Sequence, residues 1–259
     1  MRLTFLGTGT SFGVPVVGCD CATCSSGDPR DARTRSGALL ELPEGLLLVD
    51  ASPELRIQLV KAGVSRVNAV WITHPHADHI HGVDDLRIFT ARFGGVLPTH
   101  VAREHAPAIR RRFPYIFDSE EPVPGTSRPR IELIPFDAGG PVTILGAELH
   151  PLALPHGPMT VYGFRVGELG YVTDAKALPE PVMERLKGVR TLVLNALWWG
   201  SPHPTHFNVE EAIEAAERVG AERTYLIHLT HRVGHADLEA RLPDFIRPAF
   251  DGLTLEVGS

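Results

Sequence analysis

The sequence predicts an α/β protein in which two sheets pack face to face with helices outside, and three observations carry that reading. Short apolar stretches bounded by Gly, Pro or polar residues recur along the chain. They alternate with helical segments in two halves of similar style. The 259 residues are 43% hydrophobic and 22% charged, ordinary globular usage with enough chain for a sizeable core. No linker long enough to divide the chain is visible, so residues 1–259 are expected to form one domain.

Strands are expected at Leu3 to Leu6, Ala38 to Leu42, Leu46 to Val49 and Val67 to Ile72. The first helix is expected over Pro53 to Ala62: Ser52 can cap it, Pro53 suits its first position, Leu55, Ile57, Leu59 and Val60 are apolar, and Gly63 stops it. It follows a strand ending in Asp50. A second helix starts near Asp78, and a third spans roughly Ala102 to Arg112. Phe113 to Pro129, rich in Pro, Ser and acid, reads as a surface connection. The second half repeats the style, with strands near Ile131 to Phe136, Val142 to Leu145, Glu148 to Leu154, Val161 to Val166 and Tyr171 to Thr173. A helix at Pro179 to Lys187, a strand at Thr191 to Leu194, a helix at Val209 to Val219 and a strand at Arg223 to Ile227 complete it.

Charge narrows the function. With 25 Lys+Arg against 31 Asp+Glu the net charge is −6, which leaves no broad basic surface for extended nucleic acid. No apolar run approaches the ~20 residues of a membrane span, and Met1 leads directly into a strand. A cytoplasmic address without membrane partners is the expectation.

The 13 histidines are the unusual feature. Thr73-His74-Pro75-His76-Ala77-Asp78-His79 follows directly on an apolar strand. Alternate residues of an extended segment face the same way, so His74 and His76 can converge on one cation, while Asp78 and His79, entering a helix, point to a neighbouring one. Two sites then need further ligands, and His156, Asp174 and His228 each stand at or near the end of an apolar strand. Taken alone, Asp174 serves equally well as a helix cap before Ala175.

The three cysteines, Cys19, Cys21 and Cys24, cannot form a complete disulfide framework. They supply three corners of a zinc tetrahedron, with His231 chosen as the fourth because it lies three residues beyond His228. The competing reading is a redox-active Cys21–Cys24 pair, which would belong at a helix start rather than in this Gly- and Pro-rich loop.

The order HxHxDH, His156, Asp174, His228 resembles the metallo-β-lactamase superfamily over nearly the whole chain. That resemblance implies the four-layer αββα sandwich, a first metal on His74, His76 and His156, a second on Asp78, His79 and His228, and Asp174 bridging them. Gly7-Thr8-Gly9, Pro15 and the CxCxxC loop further resemble the phosphoribosyl cyclic phosphate phosphodiesterases of phosphonate breakdown, in which the cysteines and a downstream histidine bind structural zinc. Pro204-Thr205-His206 is similar too, and there the histidine assists catalysis. The expected protein is therefore a hydrolase of a small phosphodiester, cyclic ones included, with two Zn or Mn ions and one structural Zn, and a homodimer is among the expectations. Its expected catalytic residues are Asp78 and His206, with a metal-bridging hydroxide attacking phosphorus and His206 protonating the departing alkoxide.

Two rivals share parts of this pattern. The tRNA 3′-end endonucleases carry the same HxHxDH core, but they commonly have a long tRNA-gripping arm where only 17 residues separate His156 from Asp174 here. Pyrroloquinoline quinone biosynthesis protein B also carries CxCxxC. Of the remaining residues, His81 is read as rim or support, His100, His105 and His150 as ordinary polar positions, and His235 as solvent-facing. Trp198 and Trp199 are read as packing or a dimer contact before a pocket, and Gly7, Gly9 and Gly13 as a weak phosphate-cradle signal.

Overall fold

A computed structural model describes residues 1–117 and 128–258. Its first 7-stranded sheet comprises β1 (Arg2–Gly7), β2 (Gly37–Leu42), β3 (Gly45–Val49), β4 (Ala69–Ile72), β5 (Leu97–Ala102) and β6 (Ile131–Phe136), with β14 (Thr254–Glu256) beyond β1. The second holds β7 (Val142–Ile144), β8 (Ala147–His156), β9 (Met159–Val166), β10 (Leu169–Tyr171), β11 (Thr191–Asn195), β12 (Arg223–Ile227) and β13 (Ile246–Pro248), in sequential order. Each sheet is antiparallel at one end and parallel at the other; the parallel parts run from β3 to β6 and from β10 to β13. The helices are α1 (Leu55–Lys61), α2 (Ala77–Ile80), α3 (Arg87–Phe93), α4 (Ala106–Arg112), α5 (Pro114–Phe117), α6 (Glu180–Leu186), α7 (Val209–Val219) and α8 (His235–Arg241).

Alternation along the strands produces the layering. On β4, Ala69 and Trp71 face the second sheet; Trp71 stacks on Phe136 of its own sheet and meets Phe164 of the second edge-on, while Val70 and Ile72 join the outer layer with Leu55, Phe89 and Ile109. On the other sheet, Phe164, Val193 and Ile227 point inward, and Leu192, Leu194 and Leu226 pack against Val182, Leu186, Ala212 and Leu238 of α6, α7 and α8. Strands buried on both faces read as continuous apolar runs for this reason. The result is the αββα sandwich, with each buried Leu, Val or Ile worth roughly 1.5–3 kcal/mol.

Several boundaries differ from expectation. Helix α1 starts at Leu55 with no side-chain cap, because Ser52 Oγ donates instead to Gln58 Oε1 at 2.9 Å. Ala102 ends β5, so the third expected helix begins only at Ala106. Within the expected connection Phe113 to Pro129, Pro114–Phe117 is helical, and residues 118–127 lie outside the described ones. The strand expected at Tyr171 to Thr173 is Leu169–Tyr171, which releases Thr173 and Asp174 into a loop. Strands β5, β13 and β14 and helices α3 and α8 go beyond the expected elements. At α7 the expected bounds hold: Asn208 and Glu211 form a capping box, and left-handed Gly220 ends the helix.

Candidate metal centre

One edge of the sandwich collects the ends of strands from both sheets. β4 runs out into Thr73 and His74; α2 begins immediately after His76, so Asp78 and His79 occupy its first turn. His156 closes β8, Asp174 lies just past β10 and His228 directly follows β12. Asp50 directly follows β3 in the same way.

Asp50, Asp174 and His228 have φ values of 61°, 55° and 58°, a left-handed conformation that costs non-glycine residues ~1–3 kcal/mol each and needs the surroundings to enforce it. For Asp174 the enforcement is Asn195, whose Oδ1 accepts the Ala175 amide at 2.7 Å while its Nδ2 donates to the Ala175 carbonyl at 3.1 Å. For His228 it is the backbone on both sides: Ala196 N donates to Ile227 O and Leu229 N donates to Thr8 O, each at 2.9 Å.

Asp174 is the hub. Its Oδ2 lies 3.7 Å from His74 Nε2, 3.4 Å from His79 Nε2 and 3.3 Å from His206 Nε2, and its Oδ1 is 3.3 Å from His228 Nδ1. His74 Nε2 is 2.9 Å from His76 Nδ1, and His79 Nε2 is 3.5 Å from Asp78 Oδ2. Potential ligand atoms cluster within 4.8 Å as His74, His76 and His156; as His74, His79 and Asp174; as His156, Asp174 and His206; and as Asp78, Asp174 and His228. All the histidine and aspartate residues singled out as ligands of the paired site therefore meet in one place, with Asp174 common to the last three groups.

The donor set suits divalent cations. His79 Nε2 is buried without a hydrogen-bond partner, aimed at Asp78 and Asp174. Burial opposes charge on His79, yet Asp174, Asp50 and Asp78 hold its imidazole well above the ordinary value. Asp174 also resists burial: His228 and His79 keep its carboxyl well below the usual range. Burial pushes His74 well below its ordinary value and His228 down to about 4, so these two are unprotonated donors at neutral pH. The carboxylates draw His79 towards its charged form while His74 and His228 stay neutral, a demand for positive charge that a bound metal would meet.

Around this cluster is a cleft of about 310 Å³ lined by Ser11, His76, Asp78, His156, Pro158, Met159, Asp174, Thr205, His206 and His228. His206 lies on its wall, stacked on His228 at 4.9 Å and edge-on to His156 at 4.7 Å. It does not cap α7, since Asn208 does.

Four supporting residues escaped sequence reasoning. Asp50 Oδ2 accepts from His79 Nδ1 at 2.7 Å, and both its oxygens accept from Thr73. Ser36 Oγ lies 3.1 Å from His228 Nδ1, and His203 contacts His206. A carboxylate closing an apolar strand was a visible signal for Asp50; nothing local marks Ser36, Thr73 or His203.

Cys19, Cys21, Cys24 and His231 form a separate group with ligand atoms within 4.8 Å. Cys19 and Cys21 Sγ lie 3.3 and 3.4 Å from His231 Nδ1. Zinc arms of about 2.3 Å to sulfur and 2.0 Å to nitrogen at tetrahedral angles place those atoms about 3.5 Å apart, so the cluster fits the ion. The Cys24 amide, with His231, draws the Cys21 thiol down to about 6, while burial pushes Cys24 up to about 11. Ionising Cys24 beside Cys21 therefore needs a cation. Buried Arg33 binds the loop independently, donating to Thr230 O at 2.8 Å and Val233 O at 2.9 Å.

The other singled-out residues lie elsewhere. His81 is exposed beside Phe113. His100 and His105 are buried rather than ordinary polar positions, His105 Nε2 meeting Thr160 O at 2.8 Å; His150 pairs with Glu148. His235, expected in solvent, is only 1% exposed: it opens α8 with its ring against Phe250, and its amide donates to Asp31. Trp198 and Trp199 pack on the second sheet's outer core under Arg232 and Arg241. Gly7 and Gly9 permit close backbone approach, since a Cβ would meet Arg35 O at 2.0 Å and Arg33 O at 2.8 Å, respectively. That explains both glycines without a phosphate.

Fold and site together define an αββα sandwich that gathers a set of metal-ligand side chains at one edge. Residues 46–229 match the beta-lactamase superfamily domain, and the chain belongs to that superfamily. Within it the chain is PhnP-like: it superposes on a diphosphatase from the PhnP family with a TM-score of 0.91 and 35% identity, covering 99% of this chain and 98% of that one. PqqB from Methylobacterium extorquens, in a zinc-bound structure, shares the fold at a TM-score of 0.76 and 20% identity, covering 99% and 100% of the two chains. A Porphyromonas gingivalis octanoyltransferase is 37% identical over 258 residues, 98% of this chain and 51% of that protein. A ribonuclease Z from Exiguobacterium is 30% identical over 103 residues, 39% of this chain and 29% of that one. The chain thus spans about half the length of the first of these curated relatives, and under a third of the second.

Proposed function

We propose that this protein is a dinuclear metal-dependent phosphoester hydrolase acting on a small phosphodiester, cyclic or diphosphate-linked. The observation that carries the reading is the convergence of imidazoles and carboxylates from both sheets on Asp174, inside a cleft of only about 310 Å³. The likeness to a PhnP-family diphosphatase supports phosphorus as the centre attacked. His74, His76 and His156 would hold one Zn or Mn ion and Asp78, His79 and His228 the other, with Asp174 between them. Such ions, when bound, acidify water and neutralise charge growing on phosphoryl oxygens.

The chain's own residues do the rest. Asp50 fixes the His79 ring by taking its Nδ1 hydrogen, and Ser36 does the corresponding work at His228. His206 Nε2 faces the cleft and is placed to protonate the departing oxygen. The cysteine cluster with His231 would hold a structural zinc that ties the loop over residues 7–36 to the strand end carrying His228.

A small substrate is favoured over a tRNA precursor by what lies between His156 and Asp174. Those residues are spent on β9, β10 and their turns, and none projects as a gripping arm. A cytoplasmic location and a homodimer belong to the same proposal; among the described residues no helix is long and apolar enough to cross a membrane.

The test is metal analysis combined with hydrolysis of bis(p-nitrophenyl) phosphate, cyclic nucleotides, cyclic ribose phosphates and nucleoside diphosphate esters. Two ions per centre and turnover of one class support the reading. A metal-replete protein that cleaves none of them overturns it, and iron with oxygen consumption would point to a cofactor-maturation role like that of pyrroloquinoline quinone biosynthesis protein B.

A further inference from the structure

His203 lies outside every ligand group and does not line the cleft, yet it touches His206, a cleft histidine that clusters with His156 and Asp174 but is not needed to complete either proposed ligand set. Its ring is half-buried, edge-on to Trp198 at 5.6 Å, and Trp198 is itself fixed by Nε1 donating to Ser201 O at 2.8 Å and by Arg232 over its face. The Thr205 amide approaches His203 Nδ1 at 3.3 Å. An amide nitrogen can only donate, so His203 Nδ1 carries no hydrogen and is an acceptor.

That assignment propagates. Thr205 Oγ1 is also 3.3 Å from His203 Nδ1 and 2.9 Å from His206 Nδ1. With His203 Nδ1 accepting, the hydroxyl donates to it and offers its lone pairs to His206 Nδ1–H. His206 then holds its hydrogen on Nδ1, and Nε2 is the nitrogen turned to Asp174 and the cleft.

We propose that His203 is a positioning residue for phosphoester hydrolysis. Acting through Thr205, it fixes the tautomer and rotation of His206 so that Nε2 faces the departing oxygen. This rests on the hydrolase reading above, in which water adds to phosphorus and its proton passes to the bare Nε2 of His206, the P–O bond to the leaving group breaks, and that oxygen takes the proton from Nε2. His203 itself touches neither substrate nor metal ligand.

The test compares His203→Phe, which keeps a ring against Trp198 and removes the acceptor, with His203→Asn, whose Oδ1 can stand where Nδ1 stood. Imidazole ¹⁵N spectra of the zinc-loaded protein, with the His206 signal assigned by its loss in His206→Ala, should show Nδ1–H in wild type and in His203→Asn but not in His203→Phe. Turnover of bis(p-nitrophenyl) phosphate should fall about tenfold in His203→Phe with KM little changed. It should recover in His203→Asn, and His203→Phe should add nothing in a His206→Ala background. An unchanged His206 tautomer in His203→Phe, equal losses in the two His203 variants, or an undiminished loss without His206 would overturn the proposal. If wild type cleaves no phosphoester, the hydrolase reading falls instead, and the spectra still decide whether His203 sets the His206 tautomer.

Discussion

Asp50 Oδ2 and His79 Nδ1 face each other at 2.7 Å, both side chains fully buried, and neither is free to turn away. Thr73 supplies Asp50 with two further donors, at 2.8 Å from its amide and 2.9 Å from its hydroxyl. The carboxylate is thereby a fixed acceptor that dictates which His79 nitrogen is left over. Burial pushes the Asp50 carboxyl up, against the pull of His79 and Thr73.

Asp50→Asn keeps the shape but removes the charge and the obligate acceptor. Affinity for the metal held by His79 should fall about 10- to 100-fold, while zinc at the cysteine cluster stays. Metal analysis after dialysis against graded chelator would show one class of ion lost; unchanged retention would remove Asp50 from the site.

Asp78→Ala and His206→Ala should separate ligand from acid. The first loses metal and activity together. The second keeps its metal and loses about 100-fold or more in turnover. An active, metal-replete Asp78→Ala protein would contradict ligation by Asp78, and full turnover without His206 would contradict its role as the acid.

Cys21→Ser should release one zinc and leave the sandwich folded, because Arg33 and the Asp251 bonds to Thr8 and Thr34 also anchor the loop. Limited proteolysis should then cut within residues 7–36 well before the strands. Cleavage as slow as in wild type would show that the cluster contributes nothing to the loop's order.

Stability should fall as the solution is acidified, in part through His100. Burial lowers its imidazole from 6.5 to about 4 in the folded protein. The unfolded chain therefore binds the proton first, so this contribution is complete above pH 6.5 and lost as pH falls towards 4. At pH 5 the loss is at most about 2 kcal/mol. Urea titrations of wild type and His100→Leu at pH 7 and pH 5 should show a smaller drop for the variant; equal drops would exclude His100 as a source.

The layered fold was legible because β3, β4, β11 and β12 are apolar on both faces, and such runs survive any change of context. β5 was hidden by Pro98 and His100, which break the pattern of a strand that nonetheless sits between β4 and β6. β13 and β14 are three residues each, too short for any period. The HxHxDH segment advertised itself through density of ligand types. Ser36 did not, since its partner lies 192 residues away, and Asp50, 29 residues from its partner, showed only as a carboxylate closing an apolar strand. His235 misled because the charged turn His235-Ala236-Asp237 reads as surface, whereas the loop at Asp31 closes over it.

The division of labour between the sheets has one more consequence. His74, His76, Asp78 and His79 arrive from the first half of the chain and His156, Asp174 and His228 from the second, brought together across the apolar layer that holds Trp71, Phe164 and Ile227. Neither half on its own assembles the binding set, so cations act as a clasp across the seam, and their affinity becomes a gauge of how squarely the two slabs dock. A cavity cut into that seam, such as Phe164→Ala, should therefore register first as weakened ion retention, well before the protein melts.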